Sequence, residues 1–459
     1  MRIVHVSTSD SGGGAARAAY RLHSGLKRLG QDSRMLVLRK GSGDATVSAL
    51  KPQQGFLAGM ARKRRAGKIW RDYERYRPTL PPGIEPFSDD RSEHAGEVAR
   101  QLPGDCDVIN LHWIGGFLDW TSFFDAYPKH APLVWRLADM GALTGGCHYD
   151  QGCGKFLDRC GACPQLGSSD NRDLSRDVWH RKRDALARVG PGGLHIVGTS
   201  RWIAGEAKRS SLFGGFPVSV IPNGLDVEEF SPRDKHFSRE LWGIPRDAKV
   251  VLFAAESMAN VRKGFRHLAD AVAGLGAIGN LWLVSVGGGT CELPAGLRHL
   301  SLGKVSNDRM LSTIYSAADV FVIPSLQESF GQTVIESLAC GTAVVGFASG
   351  GIPDMVRPGQ TGWLAPTGDT AALRDAIGAA LTDDARRAAM GVECRRVAVQ
   401  EYSMDVQSRA YLRLYETLVA HASEKVTGPA PAAGGVGGSA ALRQMARDPR
   451  DAAALRPGA

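Results

Sequence analysis

Absences bound this 459-residue chain before any motif does. No apolar run approaches the length of a bilayer-crossing helix, so a membrane-spanning class is not expected. The N-terminus enters a strand-like Arg2-Ile-Val-His-Val6 with no secretory apolar core, and the expected compartment is the cytoplasm. The net charge is +9, yet no compact basic recognition helix, zinc-finger spacing or aromatic stacking motif accompanies it. Nucleic acid is therefore not an expected partner. The charge favours smaller anions, nucleotide phosphates, or an anionic membrane face. No internal repeat is visible beyond a loose similarity of the two halves. What remains is the composition of a globular protein, 43% apolar and 22% charged, at a length that implies two domains.

Apolar strand-like runs alternate with helix-like runs, which argues for parallel sheets in an α/β architecture. In the first half, strands are predicted at Arg2–Val6, Arg34–Leu38, Val108–Leu111 and Leu133–Leu137. A glycine loop, Ser11-Gly-Gly-Gly14, separates the first strand from a helix over Ala15–Leu29. The stretch Asp139–Leu166 reads as a Gly/Cys-rich insertion. The alternation restarts with strands at His195–Thr199, Val218–Ile221, Val250–Phe253, Leu281–Val286, Val320–Ile323 and Ala343–Gly346. The expected division is 1–190, 191–400, a C-terminal helix over 401–424, and an Ala/Gly/Pro-rich tail over 425–459 that cannot bury enough apolar surface to order itself.

Two glutamates with seven residues between them, Glu328 and Glu336, carry the strongest local signal. They follow the buried-strand pattern Val320-Phe-Val-Ile-Pro-Ser325 and lead into a helix beginning after Gly331. Glu328 is thereby expected on the loop at a strand's carboxyl end, where ligands bind in open α/β sheets, with Glu336 about two turns along the helix. Two carboxylates there can accept hydrogen bonds from the hydroxyls of a sugar and a ribose. The free backbone N–H groups near Phe330, Gly331 and Gln332 can meet a phosphate.

In order, Ile221-Pro-Asn-Gly-Leu-Asp226, Lys263-Gly264, Ala318-Asp319, Pro324-Ser325, Glu328–Ser337, Ala339-Cys-Gly-Thr342, Gly350-Gly351 and Gly362 resemble the retaining glycosyltransferases of the two-Rossmann GT-B fold, the group called family 4. Asn110-Leu-His-Trp113 supports this in the first half. Thr144-Gly-Gly-Cys-His-Tyr149 with Cys160–Leu166 is similar to the colanic-acid-type exopolysaccharide subgroup. The resemblance covers residues 1–420. It implies two Rossmann-like domains facing each other across a cleft, with a last helix crossing back to the first domain. It also implies transfer of a sugar from a UDP- or GDP-sugar to an acceptor hydroxyl with retained configuration, without a catalytic metal, in the assembly of a bacterial surface polysaccharide. Glu336 would hold the ribose and Glu328 the donor sugar. Lys263 would neutralise the diphosphate, the amides of Phe330, Gly331, Gln332 and Thr333 would cradle it, and Gly13 and Gly14 would face it from the other domain.

Departures from the family pattern are as informative. Met258 stands where an arginine is usual, five residues before Lys263; Arg262 is the substitute cation. In Arg136-Leu-Ala138-Asp-Met-Gly141, Ala138 replaces a histidine and Gly141 a tryptophan. Three readings stand open: Asp139 or Arg136 takes over the sugar contacts, His112 or His148 approaches from a neighbouring loop, or activity is lost. The last makes the chain a non-catalytic nucleotide-sugar-binding subunit of an assembly complex. A nicotinamide dehydrogenase is disfavoured, because Arg17 replaces the third fingerprint glycine and the second strand ends in Leu38-Arg39 rather than an acid. Phosphorylase and epimerase readings lack their own motifs.

Two further features bear on partners. Cys147, Cys153, Cys160 and Cys163 supply enough thiols for a structural tetrahedral zinc, with packed thiols as the other reading. Arg62–Arg77 carries eight Lys/Arg against Asp72 and Glu74, interleaved with Ile69, Trp70, Tyr73 and Tyr76. It reads either as a peripheral contact with an anionic membrane at the inner face of the plasma membrane, suited to a lipid-linked or oligosaccharide acceptor, or as a solvated basic helix.

Overall fold

The structure is a computed structural model describing residues 1–83, 85, 87–190, 192–290 and 292–427. The expected tail lies outside the described residues from 428 onward, as does Cys291. Two all-parallel sheets organise the chain. The first runs β1 (Arg2–Ser9), β2 (Asp32–Arg39), β3 (Val47–Ala49), β4 (Val108–Leu111), β5 (Leu133–Leu137), β6 (Leu194–Gly198) and β7 (Val218–Val220), in the spatial order β3-β2-β1-β4-β5-β6-β7. The second contains β8 (Lys249–Ser257), β9 (Leu281–Gly288), β10 (His299–Ser301), β11 (Val320–Ile323), β12 (Val344–Phe347) and β13 (Gly362–Ala365), in the order β10-β9-β8-β11-β12-β13. Central strands such as β4 and β11 are buried along their whole length, as expected where helices cover both faces of a parallel sheet.

The boundary expected at 190 moves. The β6 and β7 strands, read from the sequence as the restart of the second half, belong to the first sheet, with β6 in register with β5 from Leu133↔Leu194 to Leu137↔Gly198. The helix Leu174–Leu186 makes the crossover between them, capped by Asp173, whose side chain accepts from the Arg176 N–H. Nothing in the local pattern distinguishes the seventh strand of one sheet from the first of the next.

The last helix, Met404–Thr427, returns to the first domain. Its Tyr411 and Tyr415 are fully buried with Ile3, Leu22, Leu26, Val108 and Val134. The chain thus passes between the sheets twice, and the two passages are bonded to each other: Leu225 N–H donates to Tyr402 O (2.9 Å) and Met404 N–H to Leu225 O (2.8 Å). Gly224 permits this approach, since a Cβ there would sit 2.9 Å from Ser403 O.

In each sheet the strand order reverses direction once, between β1 and β4 in the first and between β8 and β11 in the second. Such switch points leave a crevice at the strands' carboxyl ends. Here the two crevices face each other, and a cleft of about 720 Å³ lies between them.

Candidate active site

The cleft is walled on one side by Ser7–Ser9 at the end of β1, the glycine loop, Trp113, Arg136, Ala138, Asp139 and His148. On the other side stand Glu256, Asn260, Arg262, Lys263, Lys304 and the run Glu328–Thr333. Two helices begin at the cleft, Gly13–Arg28 and Gln332–Ala339. Neither has a side-chain cap or an acid in its first turn, so both present unsatisfied N–H groups and positive dipole ends. Gly12, Gly13 and Gly331 adopt φ of 75°, 75° and 90°, a conformation that L side chains resist. The two loops also meet across the cleft: a Cβ on Gly14 would lie 3.7 Å from the Gln332 side chain. The Gln332 Nε2 is buried and has no hydrogen-bond partner among the described residues, an orphaned donor beside the two helix starts.

Glu328 is 7% exposed, and three side chains converge on it. The Lys263 ammonium is 2.5 Å from Oε2, the Arg262 guanidinium 3.5 Å from the same oxygen, and the Tyr149 hydroxyl 3.5 Å from Oε1. Burial pushes this carboxyl's pKa up, but Lys263 and Arg262 outweigh it and hold the group below its ordinary range. Met258, at the position of the expected arginine, is packed in the core of the second domain. Arg262 does point into the cleft. It donates to Gln327 O (2.8 Å) and Glu85 Oε1 (2.7 Å), and its guanidinium lies 4.0 Å from the Tyr149 ring centroid. Burial works against its charge, but Tyr149, Glu328 and Glu85 keep the guanidinium firmly protonated.

Asp139 is brought to the same cleft, where it accepts from Trp113 Nε1 (3.0 Å) and the Gly141 N–H (2.8 Å) and bonds His148 Nδ1 (2.8 Å). The other ring nitrogen of His148 lies 2.7 Å from Ser88 Oγ. Burial alone would lower the His148 pKa; Asp139 raises it above the ordinary value. Of the two histidines considered as substitutes, His148 lines the cleft. His112 is buried behind it and bonded to His5 (2.9 Å), with burial and its neighbours holding it well below the ordinary histidine range.

Glu336 is placed differently from the expectation. It is absent from the cleft wall and is 3% exposed. Its oxygens are held by Arg21 (3.1 Å), Arg17 (3.5 Å) and the Tyr315 hydroxyl (3.2 Å). Both arginines also pair with Asp308, Arg21 at 3.2 Å. This cluster joins the first helix of one domain to the other domain. Arg17, at the position of the third fingerprint glycine, is therefore an interdomain ion-pair residue.

The four thiols gather around one small void of about 10 Å³, shared with Phe87, Lys155 and Pro164. Zinc does not fit them as they stand. Among the described residues no group of three or more His, Cys, Asp or Glu is arranged to hold a metal. Burial raises the pKa of Cys147, Cys160 and Cys163, to about 11 for Cys160, so the protonated form that a metal would have to displace is favoured. The packed-thiol reading agrees with the geometry.

Tyr149, Glu85, Ser329 and Arg21 were not singled out from the sequence. Tyr149 lay inside a quoted motif. Ser329 lay inside another, Glu328–Ser337, while Glu85 and Arg21 act across the domain junction and leave no local pattern.

The family model for glycosyl transferases group 1 matches residues 248–383. A phosphatidyl-myo-inositol mannosyltransferase of Mycobacterium leprae is 35% identical over 259 residues, 54% of this chain and 62% of that protein, less than two thirds of its length. A D-inositol 3-phosphate glycosyltransferase of Xylanimonas cellulosilytica is 32% identical over 339 residues, 69% of this chain and 73% of that protein. Among solved structures, sucrose-phosphate synthase from Thermosynechococcus elongatus has a TM-score of 0.63 at 20% identity, covering 92% of this chain and all of its own. Anabaena HepE in complex with UDP-glucose has a TM-score of 0.62 at 17% identity, covering 91% of this chain and 100% of its own. At these identities the structural likeness speaks to the GT-B fold of two facing Rossmann-like domains. The sequence likeness reaches further: matched by the group's model across the second sheet and by a member across both sheets, the chain belongs to the glycosyl transferases group 1 family.

Proposed function

We propose that the chain transfers a glycosyl group from a nucleotide-sugar to an acceptor hydroxyl with retention of configuration. The observation that carries this reading is two uncapped helix N-termini meeting at one cleft beside Lys263, Arg262 and Glu328. Two dipole ends and two cations suit a diphosphate leaving group. They stabilise the charge that grows on it as the glycosidic bond breaks, without a metal ion. Glu328 would accept from the hydroxyls of the sugar. Glu336 would serve the ribose by exchanging its bond from Arg21 for ribose hydroxyls. Asp139 acts through His148 on the side of the cleft that lacks the family histidine. Because Ala138 leaves open a non-catalytic binder, binding and turnover need separate measurement.

The test is a melting-temperature screen against UDP, GDP and their hexose conjugates, followed by a transfer and donor-hydrolysis assay. A ligand that binds only the native state raises the melting temperature by mass action. One nucleotide is expected to do so, with the shift lost in Lys263→Ala and Glu336→Ala. A shift retained in both variants would put the donor elsewhere. Binding without turnover on any donor and acceptor would favour the non-catalytic subunit.

The acceptor reading rests on the relatives and on one helix. The relatives' names carry inositol phosphate and phosphatidylinositol acceptors, which support an inositol-bearing or lipid-linked acceptor at least as well as a surface polysaccharide. The basic segment is the helix Phe56–Glu74, which buries no residue and exposes Phe56, Leu57, Met60 and Trp70. Arg62 and Arg65 turn inward to Glu97 and Asp119. Lys63, Arg64 and Lys68 are exposed and make no ion pair among the described residues. No helix among the described residues is long and apolar enough to cross a membrane. We read this helix as lying on an anionic bilayer, apolar side chains in the headgroup layer, on the cytoplasmic side. Full-length protein is expected to sediment with phosphatidylglycerol vesicles and not with phosphatidylcholine ones. Replacing Lys63, Arg64 and Lys68 by serine should remove that difference; unchanged sedimentation would refute the contact.

A further inference from the structure

Arg136 is 1% exposed, yet it lines the cleft and has no carboxylate partner among the described residues. Its Nε donates to Asn223 Oδ1 (3.0 Å), and Nη1 lies 3.5 Å from His112 Nδ1. The other deeply buried arginines are matched: Arg239 by Asp319 (2.9 Å), and Arg21 by Glu336 and Asp308. The groups packed around Arg136 supply no compensating charge. Burial first, and then the neighbouring histidines and Arg136 itself, hold His5 and His112 well below the ordinary histidine range, and burial raises Tyr411 and Tyr415 in the last helix so that they keep their protons. An isolated buried cation is costly, and proteins retain one where an anion comes to meet it.

The sequence departure explains how an anion would reach it. Arg136 is the penultimate residue of β5 and Ala138 is the first residue past that strand's carboxyl end. Both line the cleft. A histidine at 138 would take up volume of the cleft that Arg136 also lines; alanine leaves that volume free. The Ala138 carbonyl accepts from Ser329 Oγ (2.5 Å), which sets this opening next to Glu328.

We infer that Arg136 is the floor of an anion subsite, given room by Ala138, for a carboxylate or phosphate carried by one of the two substrates. The inference rests on the cleft being a nucleotide-sugar site. An anionic glycosyl group, as in a hexuronate, would place its carboxylate there from the donor. A phosphorylated acceptor would place its phosphate there from the other side.

The test compares UDP-glucuronate with UDP-glucose by calorimetry on the full chain, or GDP-mannuronate with GDP-mannose where the screen returns GDP. A second arm titrates inorganic phosphate into the nucleoside diphosphate complex. Binding of the nucleoside diphosphate itself is the control, since it reads the proposed function and not this subsite. A wild type that binds the uronate at least tenfold more tightly, with the preference lost in Arg136→Met, supports a donor source. Phosphate binding that is present in the wild type and absent in Arg136→Met supports an acceptor source. Ala138→His keeps the arginine and takes up that volume, so it should lose the same selectivity with nucleoside diphosphate binding intact. The proposal is overturned if neither arm depends on Arg136. It is also overturned if Ala138→His selects like the wild type while Arg136→Met loses melting temperature as a core truncation does, which would assign the guanidinium to folding. Failure of the nucleoside diphosphate control in the wild type overturns the functional reading and this subsite together.

Discussion

Glu328→Ala is expected to lower transfer by a factor on the order of 10²–10³ while leaving nucleoside diphosphate binding close to the wild type. Under the proposed reading the carboxylate contributes twice. It accepts from the sugar, and it fixes Lys263 at 2.5 Å and Arg262 at 3.5 Å in the positions from which they meet the leaving group. Its removal leaves both cations free to reorient away from the positions in which they meet the developing charge. Glu328→Gln separates the contributions: the amide keeps the shape and loses the charge that positions the cations. Its loss should show in kcat more than in donor KM, because the cations act on charge present only as the bond breaks. A Glu328→Gln enzyme within an order of magnitude of the wild type in kcat would remove Glu328 from the chemistry.

The second large effect is on stability. Arg21→Ala should destabilise the protein by about 3 kcal/mol, since it leaves the carboxylate of a buried ion pair without its closest cation. Arg21 and Glu336 are 7% and 3% exposed, so solvent does not take over the bond. Arg17, at 3.5 Å from Glu336 and paired with Asp308, limits the loss without abolishing it. The double variant Arg21→Met with Glu336→Gln should recover most of the stability, because neither remaining group is then a buried charge. Denaturant unfolding of the two variants checks this, and an Arg21→Ala protein as stable as the wild type would show that the cluster is surface-like. The same pair bears on function. If ribose must displace Arg21 from Glu336, removing Arg21 should tighten nucleotide binding even as it lowers stability, an opposition that a purely structural ion pair would not produce.

The sequence was readable where the physics is local. The central strands announce themselves as apolar runs, and the Glu328–Glu336 stretch places a loop and a helix start because strand, glycine and helix signals follow one another without a gap. The short edge strands β3, β10 and β13 were not seen. With three or four residues each and one neighbour, they have too few buried side chains to make a pattern. The partners of the site residues were harder still. That Tyr149 would reach Glu328, that Glu85 would take Arg262, and that Arg17 and Arg21 would cross to Glu336 all depend on how two domains face each other. Residue identity at such positions carries no periodicity, and the same arginines on a lone domain would be surface cations. The thiol cluster shows the converse: spacing along the chain admitted a metal, while no group of three or more such side chains is arranged to hold one among the described residues.

The paired passages of backbone at Leu225 and Tyr402–Met404 have a mechanical consequence. Domains tethered by one strand can swivel, tilt and slide against each other. Two strands bonded side by side behave as a flexure: soft to bending across their common line, stiff to torsion about it. The paired crossing therefore favours bending along one line over torsion between the halves, and resists the swivelling that a single tether permits.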